Sequence, residues 1–555
     1  MTEGSPTAQS GVPPWAHPAV ELPKRTRNEI LFAIMLGLFL SALDQTIVGT
    51  ALPTIVSDLK GNDLYVWVVT IYLITSTVTG PIYGKLSDLF GRKPMLLIGV
   101  TLFLVGSALS GFSQEMWQLI LFRGIQGLGA GAIFPITLAI IGDLFTPAER
   151  GKYQGLFGAV FGIAALIGPA LGGLLTETVG WHWVFFVNLP VGAVTIFIIW
   201  RLLPTLKREG ARPRIDYLGA ATLTAALVPI LIGLTNAQRG SWSDPGVWTW
   251  LLAGTLFLVV FIVIEARASE PIIPLELFRL RTFSFSMIAV FTASFGFFGS
   301  IFFLPLWFQV VQRSSPTESG YQLLPFLAGL ISSSVISGQL VSRTGKYKWL
   351  TVGATALVAI GLILLTNLRA DTPLLSVWIW MFVTGLGVGP SLAVYTIIVQ
   401  NAVPMKKLGA ATSDLTLFRQ VGGTVGLTLG FTLFRSGLTT QIPKQLLAAG
   451  VPQTVLDNAP TGALDSSSLT AVGGTGGLDW LSAVPAGLRE PITVGIHQAI
   501  SVSIADSFWL GVGAAVVATV ATALLIEHPL RTNFGPPATD GTGGGAPTFS
   551  PPPAE

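Results

Sequence analysis

Cysteine is absent from the 555 residues, and histidine occurs only as His17, His182, His497 and His528. The first absence excludes thiol catalysis, iron–sulfur chemistry and disulfides. The scattered histidines offer no metal-ligand spacing, so no metal site is expected. Charge is also scarce. Only 11% of residues are Asp, Glu, Lys or Arg, against roughly 25% in soluble domains. No GxxxxGK[ST] run is present to cradle ATP phosphates. HExxH, GxSxG and a convergent His/Asp/Ser set are missing too, which argues against an enzyme. What the chain has is apolar sequence: 51% hydrophobic residues and a mean hydropathy of +0.68. Disordered, nucleic-acid-binding and disulfide-scaffold classes are excluded, leaving an all-α polytopic membrane protein.

A bilayer core about 30 Å thick takes about 20 apolar residues per helix. Such segments recur near 29–57, 65–84, 94–112, 117–143, 153–176, 183–203, 215–235, 247–265, 283–311, 321–341, 349–367, 374–400, 409–435 and 503–527. They predict 14 transmembrane helices with both termini on one side. The basic residues agree: of 31 Lys and Arg, 22 fall on the side of the termini, 7 on the other, and Arg123 and Arg419 inside spans. This asymmetry predicts cytoplasmic termini. The net charge of +3 points to no acidic partner. Residues 1–28 read as a polar cytoplasmic segment without a signal peptide, 438–500 as an external loop rich in Gly, Ser, Thr and Pro, and 531–555 as a disordered cytoplasmic tail.

Two echoes run through the chain. Gly84, Leu86, Gly91 and Arg92 align with Gly338, Leu340, Gly345 and Lys346 at an offset of 254. Gly127-Leu-Gly-Ala-Gly131 aligns with Gly385-Leu-Gly-Val-Gly389, and Gly151 with Gly409, at 258. Both relate span n to span n+8. Duplicated six-helix units would be related by n+6, so a helix pair is inserted between pseudo-symmetric halves. The expected division is 29–203 (N-terminal half), 204–282 (linker with two helices) and 283–530 (C-terminal half). Such halves bind cargo near the midplane and rock around it.

Candidate residues follow from cost. A charge deep in a span costs at least about 2.5–3.5 kcal/mol on insertion scales. Asp44, in the middle of span one, is read as a proton-binding carboxylate, or else as a structural polar contact; no other acid is expected as deep. Arg419, in span thirteen, carries the same cost and is its expected partner. Arg123 either snorkels outward or joins Gln126 in a polar network that moves protons. Glu177, ending span five, is a second carboxylate or an interfacial residue. The loop Gly84–Lys93, with Asp88 among Lys85, Arg92 and Lys93, reads as a latch between the halves rather than a topology signal alone, Gly84 and Gly91 permitting close approach. Span five holds Gly155, Gly168, Gly172 and Gly173 for close helix packing and Pro169 for a kink, suiting a gate. Phe295, Phe298, Trp307 and Tyr395 could line a cargo cavity with Gln126, though most aromatics in such a chain face lipid or neighbouring helices.

The loop Gly84–Lys93 resembles the signature loop of the major facilitator superfamily. The fourteen-span layout is similar to its drug:proton antiporter branch of EmrB/QacA type. Leu43–Pro53 resembles that branch's first-helix motif, Arg123–Gly129 its fourth-helix motif, and Gly155…Gly168-Pro169-x-x-Gly172-Gly173 its antiporter motif. Trp181–Gly192 and Leu417–Gly423 resemble its sixth- and thirteenth-helix patterns. The resemblance covers about residues 29–530. It implies that spans one and thirteen face each other across the cavity, that a proton gradient is the only driving agent with no cofactor, and that the chain is a multi-pass protein of the cell membrane. The implied function is proton-coupled multidrug efflux of amphipathic or cationic small molecules. The alternative cargo is a lipid or secreted metabolite. The expected partners are a small-molecule substrate and the lipid bilayer, with no nucleic acid, the chain acting as a monomer.

Overall fold

A computed structural model describes residues 23–60, 64–204, 215–239, 242–453 and 486–530. Among these described residues there are fourteen long helices. In the N-terminal half these are α1 (Lys24–Asp58), α2 (Tyr65–Phe90), α3 (Arg92–Gly111), α4 (Met116–Leu144), α5 (Pro147–Thr178) and α6 (Asn188–Leu202). The inserted pair is α7 (Tyr217–Arg239) and α8 (Pro245–Glu265). The C-terminal half holds α9 (Arg281–Val310), α10 (Leu324–Thr344), α11 (Lys348–Leu365), α12 (Leu374–Ala402), α13 (Leu408–Ala448) and α14 (Ala486–Ala523). Short helices Trp183–Phe186 and Pro316–Gln322 lead into α6 and α10. By length and composition 12 helical segments among the described residues can cross a membrane. Helices α2 and α13, rich in Gly, Ser and Thr, face each other.

Local chemistry sets several boundaries. Thr146 and Glu149 form a capping box around Pro147 at the start of α5, satisfying amides that the helix leaves open. Asp244 accepts from the Gly246 amide at 2.8 Å to start α8. Gly91 (φ 97°) and Gly345 (φ 70°) end α2 and α10 at left-handed angles that side chains disfavour. These two glycines are repeat equivalents.

The repeat recurs in the packing. A Cβ on Gly127 or Gly131 of α4 would strike the carbonyls of Tyr72 and Ser76 on α2. One on Gly385 or Gly389 of α12 would strike those of Phe326 and Leu330 on α10, the glycines 258 and the carbonyls 254 residues on. The contacts between halves obey the same rule. Gly84 of α2 lies on Ser413 and the Gly409 carbonyl of α13, and Gly338 of α10 lies on the Gly151 carbonyl of α5. Two seams thus join the halves, α2 with α13 and α5 with α10, both at the face where α1 begins and α14 ends. That face also carries most of the basic residues and is called the basic face below.

The inserted pair covers one seam. Leu223, Leu227 and Leu231 of α7 and Phe261 of α8 pack with Ile74 and Val78 of α2 and Leu417 of α13. Gln238 donates to Thr428 of α13 at 2.8 Å. The stretch 438–500 differs from the expected loop. Helices α13 and α14 run well beyond the expected spans, because Leu438, Ile442 and Leu446 form an apolar stripe that buries against Ile492, Ile496 and Ile500. Residues 454–485, the tail 531–555, most of 1–28 and 205–214 of the linker lie outside the described residues.

Candidate functional site

Asp44 is fully buried in the N-terminal half. Its Oδ2 accepts from Arg123 at 2.5 Å, and its Oδ1 from Gln126 at 2.8 Å and Asn188 at 3.0 Å. Arg123, 1% exposed, also donates to the Gln126 Oε1 at 2.8 Å. Its guanidinium stands 4.2 Å from the centroid of the Tyr72 ring, and the Tyr72 hydroxyl meets Ser41 at 3.3 Å. Asn188 donates to Ser107 at 3.0 Å, whose hydroxyl donates to the Phe185 carbonyl at 2.9 Å. Helices α1, α2, α3, α4 and α6 each place a side chain in one network. A carboxylate in this setting is held only because opposite charge and donors replace its water.

The expected Asp44–Arg419 pair is therefore corrected. Asp44 pairs within its own half, with Arg123, which does not snorkel outward. Arg419 lies against the other half. Its guanidinium is 5.9 Å from the centroid of the Phe134 ring on α4. Its single described hydrogen bond is a long one, 3.5 Å, to the Ser391 carbonyl. Asn188 was not singled out in the sequence, although it opens α6 within the Trp181–Gly192 motif.

The Gly84–Lys93 segment joins the halves through Asp88. Its two oxygens accept from the Gly409 and Ala410 amides at 3.1 and 2.9 Å. A carboxylate at a helix N-terminus satisfies open amides and opposes the positive end of the helix dipole. Arg92 fixes Asp88 at 2.6 Å, donates to Asp143 at 2.8 Å and reaches Ser87 at 2.6 Å. Lys85 turns away, to Glu270 at 2.7 Å, and Lys93 makes no described contact with Asp88. Asp88 thus stands between an arginine of its own half and a helix end of the other. Asp88→Asn removes the charge on both sides, and charged hydrogen bonds contribute about 1.5–3 kcal/mol. That shifts the ratio of closed to open basic face by roughly ten- to a hundredfold. In this cysteine-free chain, Ser413→Cys reports the shift: its labelling by a maleimide should accelerate when Asp88→Asn is added, and unchanged labelling would contradict the assignment.

The glycines of α5 divide by face. Gly155, Gly158 and Gly162, with Gly151, lie against Ser334, Ile331 and Gly338 of α10. Gly168 and Gly172 pack on Thr46 and Ile47 of α1, inside their own half. Pro169 and Gly173 approach Gly320 and Thr317 at the opposite face. Glu177 is exposed at the end of α5, away from the Asp44 network. The aromatic expectation is corrected as well. Trp307 is fully buried in the core of the C-terminal half, its indole donating to Ser501 at 2.9 Å. Tyr395 is equally buried and bonds Thr522 of α14. Phe295 and Phe298 fill the space over Gly426 and Gly423 where α9 meets α13. Asp414 is the acid the sequence reading missed: it is 0% exposed, and neither carboxyl oxygen has a partner among the described residues. Its position five residues inside span thirteen carried the same signal as Asp44. Among the described residues no group of three or more His, Asp or Glu is placed to hold a metal.

The sequence matches the Major Facilitator Superfamily over residues 34–427. It is 39% identical over 407 residues to the multidrug transporter protein MdtP of Bacillus subtilis (strain 168), covering 73% of this chain and 74% of that one. It is 31% identical over 552 residues to the MFS-type efflux pump LUC4 of a Fusarium species, covering 96% and 95%. Among solved structures, the human organic anion transporter MFSD10 superposes with a TM-score of 0.58 at 15% identity, over 89% of this chain and all of that one. The proton:xylose symporter XylE superposes with 0.55 at 14% identity, over 90% and 95%. At such identities these two speak for the fold alone. The family and its relatives are transporters rather than enzymes, and with its two six-helix halves and the matched stretch of residues 34–427 the chain belongs to the Major Facilitator Superfamily.

Proposed function

We propose that the protein is a proton-coupled efflux antiporter of the fourteen-helix drug:proton branch, exporting amphipathic small molecules across the cell membrane by alternating access. The observation that carries the reading is Asp44: a carboxylate fully buried in mid-span, held by Arg123, Gln126 and Asn188. Taking up a proton removes its attraction to Arg123 and half of its acceptor capacity, so the network loosens or tightens with each proton. The basic face, which carries most of the described Lys and Arg, is the cytoplasmic one in this reading. The seams there are closed, so cargo would leave toward the opposite face before the latch reopens. The relatives named as multidrug transporter and efflux pump support export as the direction.

The test is reconstitution into vesicles with an imposed pH gradient. Export should stop when an uncoupler is added. Asp44→Asn should slow proton-driven export at least tenfold while leaving cargo binding in place. Wild-type export by the variant would overturn the proton role. Flux that runs down its own gradient without protons would overturn antiport.

A further inference from the structure

Arg419, like the acid Asp414 five residues before it on α13, is a buried ionisable side chain that its own surroundings leave unanswered. It is 8% exposed, and its Nη1 has no hydrogen-bond partner among the described residues. No carboxylate is ion-paired with it among the described residues: Asp44 is taken by Arg123, Asp88 by Arg92 and the α13 amides, and Asp414, on the same helix, has no hydrogen-bond partner at either oxygen. A guanidinium has five donors and no acceptor, and an uncompensated buried charge costs several kcal/mol. Arg419 stands 11 residues, about 16 Å, along α13 from its basic-face end. That is near the middle of a bilayer core about 30 Å thick. It points across the seam between the halves, to Phe134 of α4. Phe134 stacks edge-on with Phe157 and Phe161 of α5 at centroid distances of 5.9 and 5.8 Å. A single cation therefore abuts an aromatic wall, at the height where two rocking halves hold their cargo.

We propose that Arg419 is the anchor for an anionic group of the transported molecule, so that the cargo class is amphipaths carrying a carboxylate or a similar oxyanion, their apolar part against Phe134, Phe157 and Phe161. The inference rests on the export reading above and narrows it. A planar fork binds a carboxylate through two parallel hydrogen bonds, which supplies the acceptors that Arg419 lacks. Cationic compounds meet an uncompensated positive charge and are disfavoured at the same spot.

Equilibrium binding to the purified full chain in lipid nanodiscs tests this without any gradient. The probes are 1-pyrenebutyrate, its neutral methyl ester and 1-pyrenemethylammonium, followed by energy transfer from tryptophan to pyrene. Wild type should bind pyrenebutyrate at least tenfold more tightly than either other probe. Arg419→Gln should lose that tenfold and leave ester binding unchanged. Arg419→Lys keeps the charge without the fork and should fall between, which keeps the test decisive should the Gln variant fold poorly. Pyrenebutyrate binding equally to wild type and Arg419→Gln would overturn the assignment. So would the ester or the ammonium matching the carboxylate on wild type, or none of the three binding. Proton-driven export of pyrenemethylammonium by wild type would sink this inference alone and leave antiport standing. Selective carboxylate binding without any proton-driven flux would do the reverse.

Discussion

Replacing Arg123 with Gln should destabilise the protein by about 3–5 kcal/mol, the cost of leaving one member of a buried ion pair without its partner. Asp44 is fully buried and Arg123 is 1% exposed, so neither can turn to water. In Arg123→Gln, Asp44 keeps Gln126 and Asn188 as donors, but no positive charge remains nearby. Asp44→Asn produces the mirror defect, a guanidinium facing an amide that can accept with only one atom. The double variant Asp44→Asn/Arg123→Gln removes both charges and should recover most of the loss, since two neutral amides of similar size can bond each other. The expected order of thermal stability for detergent-purified protein is therefore wild type, then the double variant, then either single variant. A coupling between the two sites above about 1 kcal/mol is the signature of groups in direct contact. Single variants that melt with wild type, or losses that simply add, would show that the pair is solvated or not formed. The same two singles should also export poorly, but stability and export part company in the double variant: it should fold, and it should not couple to protons.

The partner of Asp44 was the point at which sequence reading fell short, and the reason is geometric. Two arginines lie inside spans, and hydropathy says how deep each sits only as well as it places the span ends. From the expected boundaries, Asp44 is 15 residues into span one and Arg419 is 10 residues into span thirteen, a mismatch of about 8 Å that a long arginine side chain could close. In the structure α1 begins at Lys24 and α13 at Leu408. Asp44 is then about 30 Å along α1 and Arg419 about 16 Å along α13, and Asp44 is answered by Arg123 of its own half while Arg419 stands against Phe134. The number of helices was legible because each needs its own apolar run. So was the twofold relation of the halves, because glycines at close crossings cannot be replaced, as with Gly84 and Gly338 or Gly151 and Gly409, nor can glycines at positive φ, as with Gly91 and Gly345. Trp307 and Tyr395 were not legible. An aromatic residue on a helix that is apolar all round gives no sign of whether it faces lipid, cavity or core, and only the hydrogen bonds to Ser501 and Thr522 settle it.

Gly338→Val should cut export at least tenfold while leaving each half folded. The glycine sits where α10 crosses α5, and any Cβ there would run into the Gly151 carbonyl and lie 3.3 Å from the Gly155 Cα. These are backbone atoms of a helix and cannot step aside as a side chain would. Overpacking of this kind costs typically 1–3 kcal/mol, and here it falls on one conformation only, the one in which the basic face is shut. The seam should open, and the balance of states should move by roughly ten- to a hundredfold. Gly84→Val is the symmetry-related lesion, against Ser413 and the Gly409 carbonyl of the other seam, and should act in the same direction. Gly353→Val is the control: nothing lies within 4 Å of a Cβ at that position, and it should export like wild type. In each background, Gln400→Cys reads the state. Gln400 is buried between the halves, bonded to Gln154 at 3.0 Å and to the Leu138 carbonyl at 3.1 Å, so a thiol there should label slowly in the parent and in Gly353→Val and quickly in Gly338→Val. Slow labelling with lost export would mean that the glycine matters to the halves themselves. Fast labelling with intact export would mean that closing this face is not a step of the transport cycle.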